Sequence, residues 1–395
     1  MVLLRAAADS AILCSEFPTT VLTGAEGKPP QVGLVGELAG KWVKYPMQQS
    51  GVITKFDDMF PIWSTAFDKV RYCYGTTSVV IVEHERTPRD IRERVVSAMF
   101  ETYEAPAVCV RGGAQFALYE TGLAAGCVVD VGHSAARASR IVALAPPHSG
   151  EGSSGAIGTS GRLELRPTRP WACGGADITD RMMQLLSEKG IRTFNTTRSD
   201  RLIARDIVEK HCRLGPETPA VQYEMPDGNI LEIPGEVLIA APEILFSPGS
   251  DGGRLSLTEE VLRAVDDGGG GDGGGGGDDG GNGGDGGGGG AEKCTEVLDV
   301  VLVGGVGANL PGLAERLEQE LNARLEPARR AVVRSGTTSQ AIIGATTLVE
   351  DTGMLQSPAP RQQILIGKGP FLEHGAGIFH EARDQPLPLP QTREK

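Results

Sequence analysis

The sequence predicts an α/β protein in which helices cover mixed β-sheets. Two observations lead to this prediction. Between residues 78 and 131, segments typical of strands alternate with segments typical of helices, which indicates a mixed sheet with helical connections. The chain also has 395 residues, more than one ordinary core holds, which favours two domains or one large α/β architecture.

The first strand–helix pair is SVVIVEH (78–84) followed by TPRDIRERVVSAMFETY (87–103). The first segment is apolar and β-branched, as expected of a strand. The second has helical spacing. Thr87 followed by Pro88 indicates the start of a helix, with threonine as the capping residue.

Three further elements follow in the same alternation. APAVCV (105–110) is predicted to be a strand, AQFALYETG (114–122) a short helix that ends at Gly122, and GCVVDVG (126–132) another strand.

The motif GHSAA (132–136) allows two interpretations. It resembles the G-x-S-x-G turn of serine hydrolases, with Ser134 as the nucleophile, a role that requires a helix directly after the serine. Asp177 or Asp206 with His374 or His380 could supply the acid and base of such an enzyme. The next segment, RASRIVAL, instead alternates polar and apolar residues, which favours a returning strand and makes the motif the tip of a hairpin.

The second half of the chain contains a low-complexity insert. Residues 268–290 are almost wholly glycine and are predicted to be disordered, since they have no apolar area to bury. LSLTEEVLRAV before them is predicted to be a helix, and VLDVVLVGG after them a buried strand that leads through a glycine-rich turn to an amphipathic helix. The closing PLPLPQTREK (386–395) is predicted to be a disordered tail.

Composition excludes several classes of function. The net charge of -13 and the absence of a basic patch argue against direct nucleic-acid binding. No apolar run reaches the length of a membrane span, so no membrane association is expected. The seven cysteines form no C-x-x-C pair, which favours neither a zinc site nor a disulfide framework and fits a reducing compartment.

Several segments together carry a family resemblance. KYPMQQSGVITKFDDMFPIWSTAF (44–67) and MFETYEAPAVCV (99–110) closely resemble actin and the actin-related proteins. The resemblance continues in order through DITDRMMQLLSEKGI (177–191), RDIVEKHC (205–212) and GKGPFLEHGAGIFHEAR (367–383). Nearly the whole chain is covered, apart from its beginning, the glycine insert and the tail, and the sequence is identified as a divergent member of this family.

The resemblance implies an actin-like ATPase fold, with two ribonuclease H-like α/β domains flanking a nucleotide cleft. Residues 1–120, with 340–395 returning to them, correspond to the outer domain, and 121–339 to the inner domain, which the insert 268–290 interrupts. The family binds ATP or ADP in the cleft together with Mg²⁺, for which Ca²⁺ is an alternative.

The resemblance also implies the residues that contact the nucleotide. Asp130 matches an aspartate that reaches the metal ion through water, and Gly132 matches a glycine whose N–H faces a phosphate. Carboxylate oxygens suit a hard cation, and a glycine lets phosphate approach the backbone. The full set implied is Asp130, Gly132, His133, Ser134, Gly175, Asp177, Arg205, Glu209, Gly304 and Gly305.

Four departures from the family pattern predict weak or absent ATP hydrolysis. The glutamine that orients the attacking water aligns with Gly113, which has no side chain, and Gln115 lies two positions away. The family histidine after the hairpin aligns with Arg137, and a family lysine in the adenosine pocket aligns with Val208. The first phosphate hairpin has no counterpart, since none of the first 23 residues is glycine.

Two filament contacts of the family are also altered. The long mobile loop is reduced to about GAEGKPPQ, and the apolar plug reads SPGSDGG. We therefore expect a structural protein that acts in the cytoskeleton or within a larger complex, with protein partners and without assembly into ordinary actin filaments. The expected location is the cytoplasm, with the nucleus as an alternative. A conventional polymerising actin-type ATPase is the second hypothesis, and a serine hydrolase that uses Ser134 is the third.

Overall fold

The computed structural model describes an alternation of strands and helices over most of the chain. The glycine insert, most of GAEGKPPQ and most of SPGSDGG lie outside the described residues, so the expectations for them stay predictions. The described residues are 21–22, 31–32, 43–44, 46–47, 52–83, 87–133, 135–144, 162–165, 173–194, 197–247, 255–266, 296–351, 364–384, 387–388 and 390.

The strands of the described residues are short in the first part of the chain and longer from residue 79 onward. They are β1 (Val21–Leu22), β2 (Gln31–Val32), β3 (Val43–Lys44), β4 (Val79–Glu83), β5 (Ala107–Gly112), β6 (Gly126–Val131), β7 (Ala136–Leu144), β8 (Arg162–Leu165), β9 (Val221–Glu224), β10 (Ile230–Ile233), β11 (Glu296–Val303), β12 (Arg329–Ser335), β13 (Ile366–Gly367) and β14 (Leu387–Pro388).

The helices lie between these strands. They are α1 (Met59–Lys69), α2 (Arg89–Glu101), α3 (Gly113–Thr121), α4 (Gly175–Glu188), α5 (Arg198–His211), α6 (Gly235–Ala240), α7 (Leu257–Asp266), α8 (Gly304–Asn309), α9 (Leu313–Arg324), α10 (Gln340–Asp351), α11 (Lys368–His374) and α12 (Ile378–Asp384), with a 3₁₀ turn at Pro242–Leu245. Among the described residues, no helix is both long and apolar enough to cross a membrane.

The largest sheet has six strands in the order β12-β11-β6-β7-β8-β14. β12, β11 and β6 run parallel, whereas β7 returns antiparallel to β6. A second sheet, β13-β5-β4, pairs β4 and β5 in parallel. Because parallel strands need crossover connections, helices come to lie on the sheet faces, which is the layered α/β arrangement that the sequence predicts.

Both faces of the six-stranded sheet are buried. Val129 and Val131 point into a core with α4, α5, α7 and α9, while Val128 and Ile141 point into a second core with α3 and α10. Strands buried on both faces read as continuous apolar runs, which explains why GCVVDVG and VLDVVLVGG were recognisable in the sequence.

Most of the element predictions between residues 78 and 144 are confirmed. The predicted strands at 78–84, 105–110 and 126–132 are β4, β5 and β6, and the predicted helices at 87–103 and 114–122 are α2 and α3. The segment RASRIVAL forms β7, which pairs with β6 as the returning strand of a hairpin.

Three local predictions are wrong. The cap residue of α2 is Pro88 and not Thr87, so no side chain caps this helix. The glycine-rich turn after β11 is itself a short helix, α8, because only Gly304 takes a positive φ, of 84°. In the tail predicted to be disordered, Leu387 and Pro388 form an edge strand on β8, since Leu387 is fully buried and an edge position tolerates proline.

The predicted domain boundaries stay a prediction. α10, from the segment assigned to the outer domain, packs closely on α3, and β14 pairs with β8 in the sheet that also contains β6 and β7. The segment 340–395 thus touches both main sheets.

A buried ion pair ties α2 to the end of β4. Arg92 Nη2 lies 2.8 Å from Glu83 Oε1, and both side chains are about 5% exposed. Arg92 Nη1 also donates to Nδ1 of His380 at 2.8 Å, and since arginine cannot accept, the His380 proton lies on Nε2, which donates to Glu93 at 2.7 Å. The network holds α12 against α2.

The tightest helix contact joins α10 to α3 at Gly344. A Cβ atom there would collide with the backbone carbonyl of Phe116. We expect Gly344→Ala to lower the free energy of unfolding by about 1–3 kcal/mol, because two packed helices would have to move apart. Urea unfolding followed by circular dichroism measures the change.

The control is Gly369→Ala in α11, where an added Cβ has no atom within 4 Å. This change is expected to stay within about 0.5 kcal/mol of the unaltered protein. Equal effects of the two substitutions would contradict the close packing of α3 and α10.

Candidate functional site

The candidate site begins where two parallel strands end side by side. In the register of β6 and β11, Asp130 lies opposite Val303, one residue before Gly304. The Asp130 side chain is exposed, although its strand neighbours are buried. Ligands of open α/β sheets bind at the carboxyl ends of the strands, so this edge is the expected position for a site.

Gly304 is required by this junction. Its φ of 84° is strained for any residue with a side chain, and a Cβ would collide with Asp130 Oδ1 and lie 2.8 Å from the Val131 carbonyl oxygen. The chain can therefore turn from β11 into α8 directly beside the Asp130 carboxylate.

The β6–β7 hairpin rests on the first turn of α4. The N–H groups of Gly175 and Ala176 donate to the carbonyl oxygens of Gly132 and His133 at 3.0 and 2.6 Å. Gly174 makes this approach possible, because a Cβ there would lie 2.8 Å from the Gly132 carbonyl oxygen. The contact explains why two consecutive glycines precede the helix.

The N–H of Gly132, expected to face a phosphate, donates to the carbonyl oxygen of Ala135 at 3.0 Å, because the short hairpin closes on itself. Asp177 is likewise used within the protein: its carboxylate accepts the N–H of Gly174 at 2.8 Å and so caps α4.

A cavity of about 670 Å³ opens beside the hairpin, between α4, α5 and α8. This volume lies within the usual range for small-molecule sites, about 300–1,000 Å³. Five residues of the implied set line it, together with apolar and polar groups from the same elements. The lining residues are His133, Gly175, Ile178, Thr179, Arg205, Val208, Glu209, Cys212, Gly305, Val306, Asn309, Leu310, Pro311 and Thr338.

An ion pair and an imidazole give the cavity its polar wall. Arg205 Nε lies 2.6 Å from Glu209 Oε1 one turn further along α5, and both side chains are about half exposed. Loss of hydration lowers the pKa of His133, and Arg205 lowers it further. Glu209 and Asp177 oppose this shift, but the net effect still lowers the pKa of His133 and so favours the neutral imidazole.

The remaining implied residues lie next to the cavity without lining it. Asp130, Gly132 and Gly304 form the strand ends described above, and Asp177 lies in the first turn of α4. Ser134 falls outside the described residues. Four separate stretches of the chain thus converge on one place, although the backbone N–H of Gly132 and the carboxylate of Asp177 are engaged internally.

Sequence reasoning missed much of the apolar lining. Ile178 and Thr179 lie one turn after Gly175 on α4, and Cys212 lies one turn after Val208 on α5. Helical spacing from the residues already identified was the available signal. Val306 and Asn309, the other α8 residues of the lining, could not be found in this way, because α8 was predicted to be a turn.

Gly113 and Gln115 do not belong to the described lining of the cavity. Gly113 begins α3, where a Cβ would make ordinary contacts with Val82 and Ala341, and Gln115 is 3% exposed within α3. The described part of the cavity lining includes neither residue.

The strands on either side of Ser134 do not have the arrangement that the serine-hydrolase hypothesis requires. A nucleophile elbow is a strand–turn–helix unit, whereas the described residues on either side of Ser134 form two antiparallel strands, β6 and β7. Of its candidate partners, Asp177 caps α4 and His380 is bound between Arg92 and Glu93.

The described residues around Asp130 are a poor set of donors for the metal ion that the resemblance implies. Among the described residues, no cluster of three or more histidine, cysteine, aspartate or glutamate side chains could hold a cation. Asp130 offers carboxylate oxygens, but the residue directly opposite it on β7 is Arg137. Among the described residues, Asp130 is the one carboxylate implied at the metal, and a single carboxylate is a weak donor set for a tightly held divalent ion.

Residues 30–144 match the family model described as Actin, a segment that includes β2 to β7, the candidate hairpin and α1 to α3. The matched segment carries two of the motifs on which the resemblance rests, at 44–67 and 99–110, and the described residues have the mixed α/β architecture of an actin-like ATPase fold. The protein therefore carries an actin-family domain over residues 30–144.

Proposed function

We propose that this protein binds ATP or ADP in the cavity between α4, α5 and α8 and acts as a structural, actin-related subunit with weak or absent hydrolysis. The observation that supports nucleotide binding is convergence: His133, Gly175, Arg205, Glu209 and Gly305 were selected from the family resemblance, and all five line this cavity. They come from four separate segments of the chain.

The cavity wall suits a nucleoside. Ile178, Val208, Val306 and Leu310 provide apolar surface on which a base can lie. Glu209 and its neighbours provide charged and hydrogen-bonding groups for the ribose hydroxyls and base edges. The hairpin end with Asp130 then lies where the phosphates would extend.

The sharpest test blocks the cavity without disturbing the fold. Gly305 lines the cavity and an added Cβ there has no atom within 4 Å, so Gly305→Leu introduces a side chain at the cavity wall without a clash at its Cβ. We expect Gly305→Leu to raise the Kd for ATP and ADP at least about tenfold, measured by isothermal titration calorimetry.

Gly369→Leu is the matched control. Gly369 is also the second residue of a short helix, and its surroundings are also open to 4 Å. This variant should bind like the unaltered protein. If neither nucleotide binds the unaltered protein at millimolar concentration, or if both variants bind equally well, the proposed site is wrong.

Weak or absent hydrolysis rests on Gly113, which aligns with the position of the water-orienting glutamine. We expect phosphate release from ATP to stay at the background rate in a coupled phosphate assay. Sustained release that Gly305→Leu abolishes and Gly369→Leu preserves would favour the second candidate, a conventional actin-type ATPase.

The proposal that the protein does not form ordinary actin filaments rests on two altered contact segments. These are the shortened loop GAEGKPPQ and the segment SPGSDGG in place of the apolar plug. Without the apolar plug, lateral contacts lose the buried area that drives association. We expect the protein to remain in the supernatant after sedimentation in Mg²⁺ and K⁺ at several micromolar, with skeletal-type actin as the positive control. A pellet of ordered filaments in electron micrographs would contradict this expectation.

The proposed setting is the cytoplasm and its cytoskeleton, or the nucleus, with other proteins as partners. Direct binding of nucleic acid or membranes is not part of the proposal, since the charge is -13 and no basic patch stands out in the sequence.

A further inference from the structure

Strands β9 and β10 form a hairpin that belongs to neither main sheet. They pair only with each other among the described strands, so each has one edge without a neighbouring strand. One face of the hairpin lies on the core through Tyr223 and Ile233. The opposite face is exposed and carries Gln222 and Glu224 from β9, and Ile230 and Glu232 from β10.

The turn of this hairpin fixes the hydrogen-bonding pattern of its strands. The N–H of Gly228 donates to the carbonyl oxygen of Met225 at 2.9 Å. The N–H of Met225 in turn donates to the carbonyl oxygen of Asn229 at 2.8 Å, which makes these two residues a hydrogen-bonded pair. Because such pairs alternate with non-hydrogen-bonded pairs in an antiparallel ladder, the following pair, Glu224 with Ile230, is not hydrogen-bonded.

This pattern leaves backbone groups of β10 directed outward. In a non-hydrogen-bonded pair, the N–H and C=O groups point away from the partner strand, so those of Ile230 and, two residues on, Glu232 face the outer edge of β10. No described residue forms a hydrogen bond with these backbone groups. An edge of this kind is a template for pairing with another extended segment.

The exposed face of the hairpin has an apolar centre and a negative charge. Ile230 is 63% exposed, which is unusual for a large apolar side chain. Glu224 lies directly opposite it, and Glu232 follows on the same face. Residues 214–236 contain five acidic residues and no lysine or arginine. No described lysine, arginine or histidine forms an ion pair with Glu224 or Glu232.

This charge determines which kind of segment fits. A strand with lysine or arginine side chains on the exposed face would complement the two glutamates, whereas a second copy of this hairpin would bring acidic faces together. Pro234 directly follows β10 and has no N–H, so the pairing would extend over about the four residues of the strand.

We propose that the outer edge of β10 is a docking site for an extended, basic segment of a partner protein, which pairs with Ile230 and Glu232 as a third strand. Three strands are also more stable than an isolated pair. The docking site gives the structural subunit of the proposed function a contact surface, and it does not require nucleotide in the cavity between α4, α5 and α8.

The first test uses defined peptides and the unaltered full-length protein. A fluorescein-labelled peptide of alternating lysine and valine is titrated with the protein, and binding is followed by fluorescence anisotropy. Its Kd should be at least about tenfold lower than that of a peptide of alternating glutamate and valine, because only the lysine peptide complements the acidic face. A lysine peptide that does not bind at up to about 1 mM protein would overturn the proposal.

Methylation of the peptide backbone separates strand pairing from charge. The lysine–valine peptide with every backbone nitrogen methylated keeps its charges but has no N–H to donate. Its Kd should be at least about tenfold higher than that of the unmethylated peptide, since main-chain hydrogen bonds supply the affinity of an added strand. Equal Kd values would mean that charge alone holds the peptide, and the proposal of a third strand would be wrong.

Two substitutions at Ile230 test the edge from the side of the protein. Ile230→Pro removes an outward N–H, whereas Ile230→Ala shortens the side chain and keeps that N–H. Proline at a non-hydrogen-bonded position leaves the bonds between β9 and β10 in place. The Kd for the lysine peptide should be at least about tenfold higher for Ile230→Pro than for Ile230→Ala. Equal Kd values for two folded variants would contradict pairing at this edge, and the methylated peptide decides the question if Ile230→Pro does not fold.

Charge reversal tests whether the attraction is local. Glu232→Lys should raise the Kd for the lysine peptide at least about tenfold, because it places a cation beside the bound strand. Glu326→Lys is the control, since Glu326 is exposed before β12 and the substitution changes the net charge equally. It should leave the Kd within about twofold of the unaltered protein. Equal losses would assign the attraction to the overall charge of -13 and overturn the proposal.

Sedimentation equilibrium tests the alternative occupant, a second copy of this chain. The unaltered protein is expected to show no self-association that depends on this edge. A dimer that Ile230→Pro dissociates and Ile230→Ala preserves would assign the edge to a second copy and would overturn the proposal of a basic partner.

Discussion

The parallel pairing of β6 with β11 is the constraint on which the candidate site depends. Their register brings Asp130 beside Val303 and leaves room for the next residue only if it is glycine. Because Gly304 then turns into α8, one wall of the cavity is set by the same contact. The helices that complete the cavity, α4 and α5, pack on the face of this sheet that carries Val129 and Val131.

Close packing around the hairpin has a chemical consequence. Gly174 lets the first turn of α4 approach the hairpin until their backbones exchange hydrogen bonds, which stabilises the strand ends. The same bonds engage the N–H groups of Gly132, Gly175 and Ala176 within the protein. The polar groups of the adjoining cavity wall therefore include the side chains of Arg205, Glu209 and His133.

The predictability of the fold follows the strength of local signals. Strands β4 to β6 and helices α2 and α3 were predictable because both faces of the strands are buried and Gly122 ends α3 in a left-handed conformation, with φ of 76°. α8 was missed because three of its first four residues are glycine, which is typical of a turn. Its helical form depends on packing against β6 and β11, which the local sequence does not show.

The sequence by itself determined the family, the α/β alternation, the hairpin around Ser134 and the identity of residues that line the cavity, because each is encoded in residue type and local spacing. Only the tertiary structure decided how those residues are used. Strand register and contacts between distant segments decide three things. They decide whether the N–H of Gly132 is available, whether Asp177 caps a helix, and which residue lies opposite Asp130. Such contacts have no local signature, since they arise only when the sheet and its helices pack together.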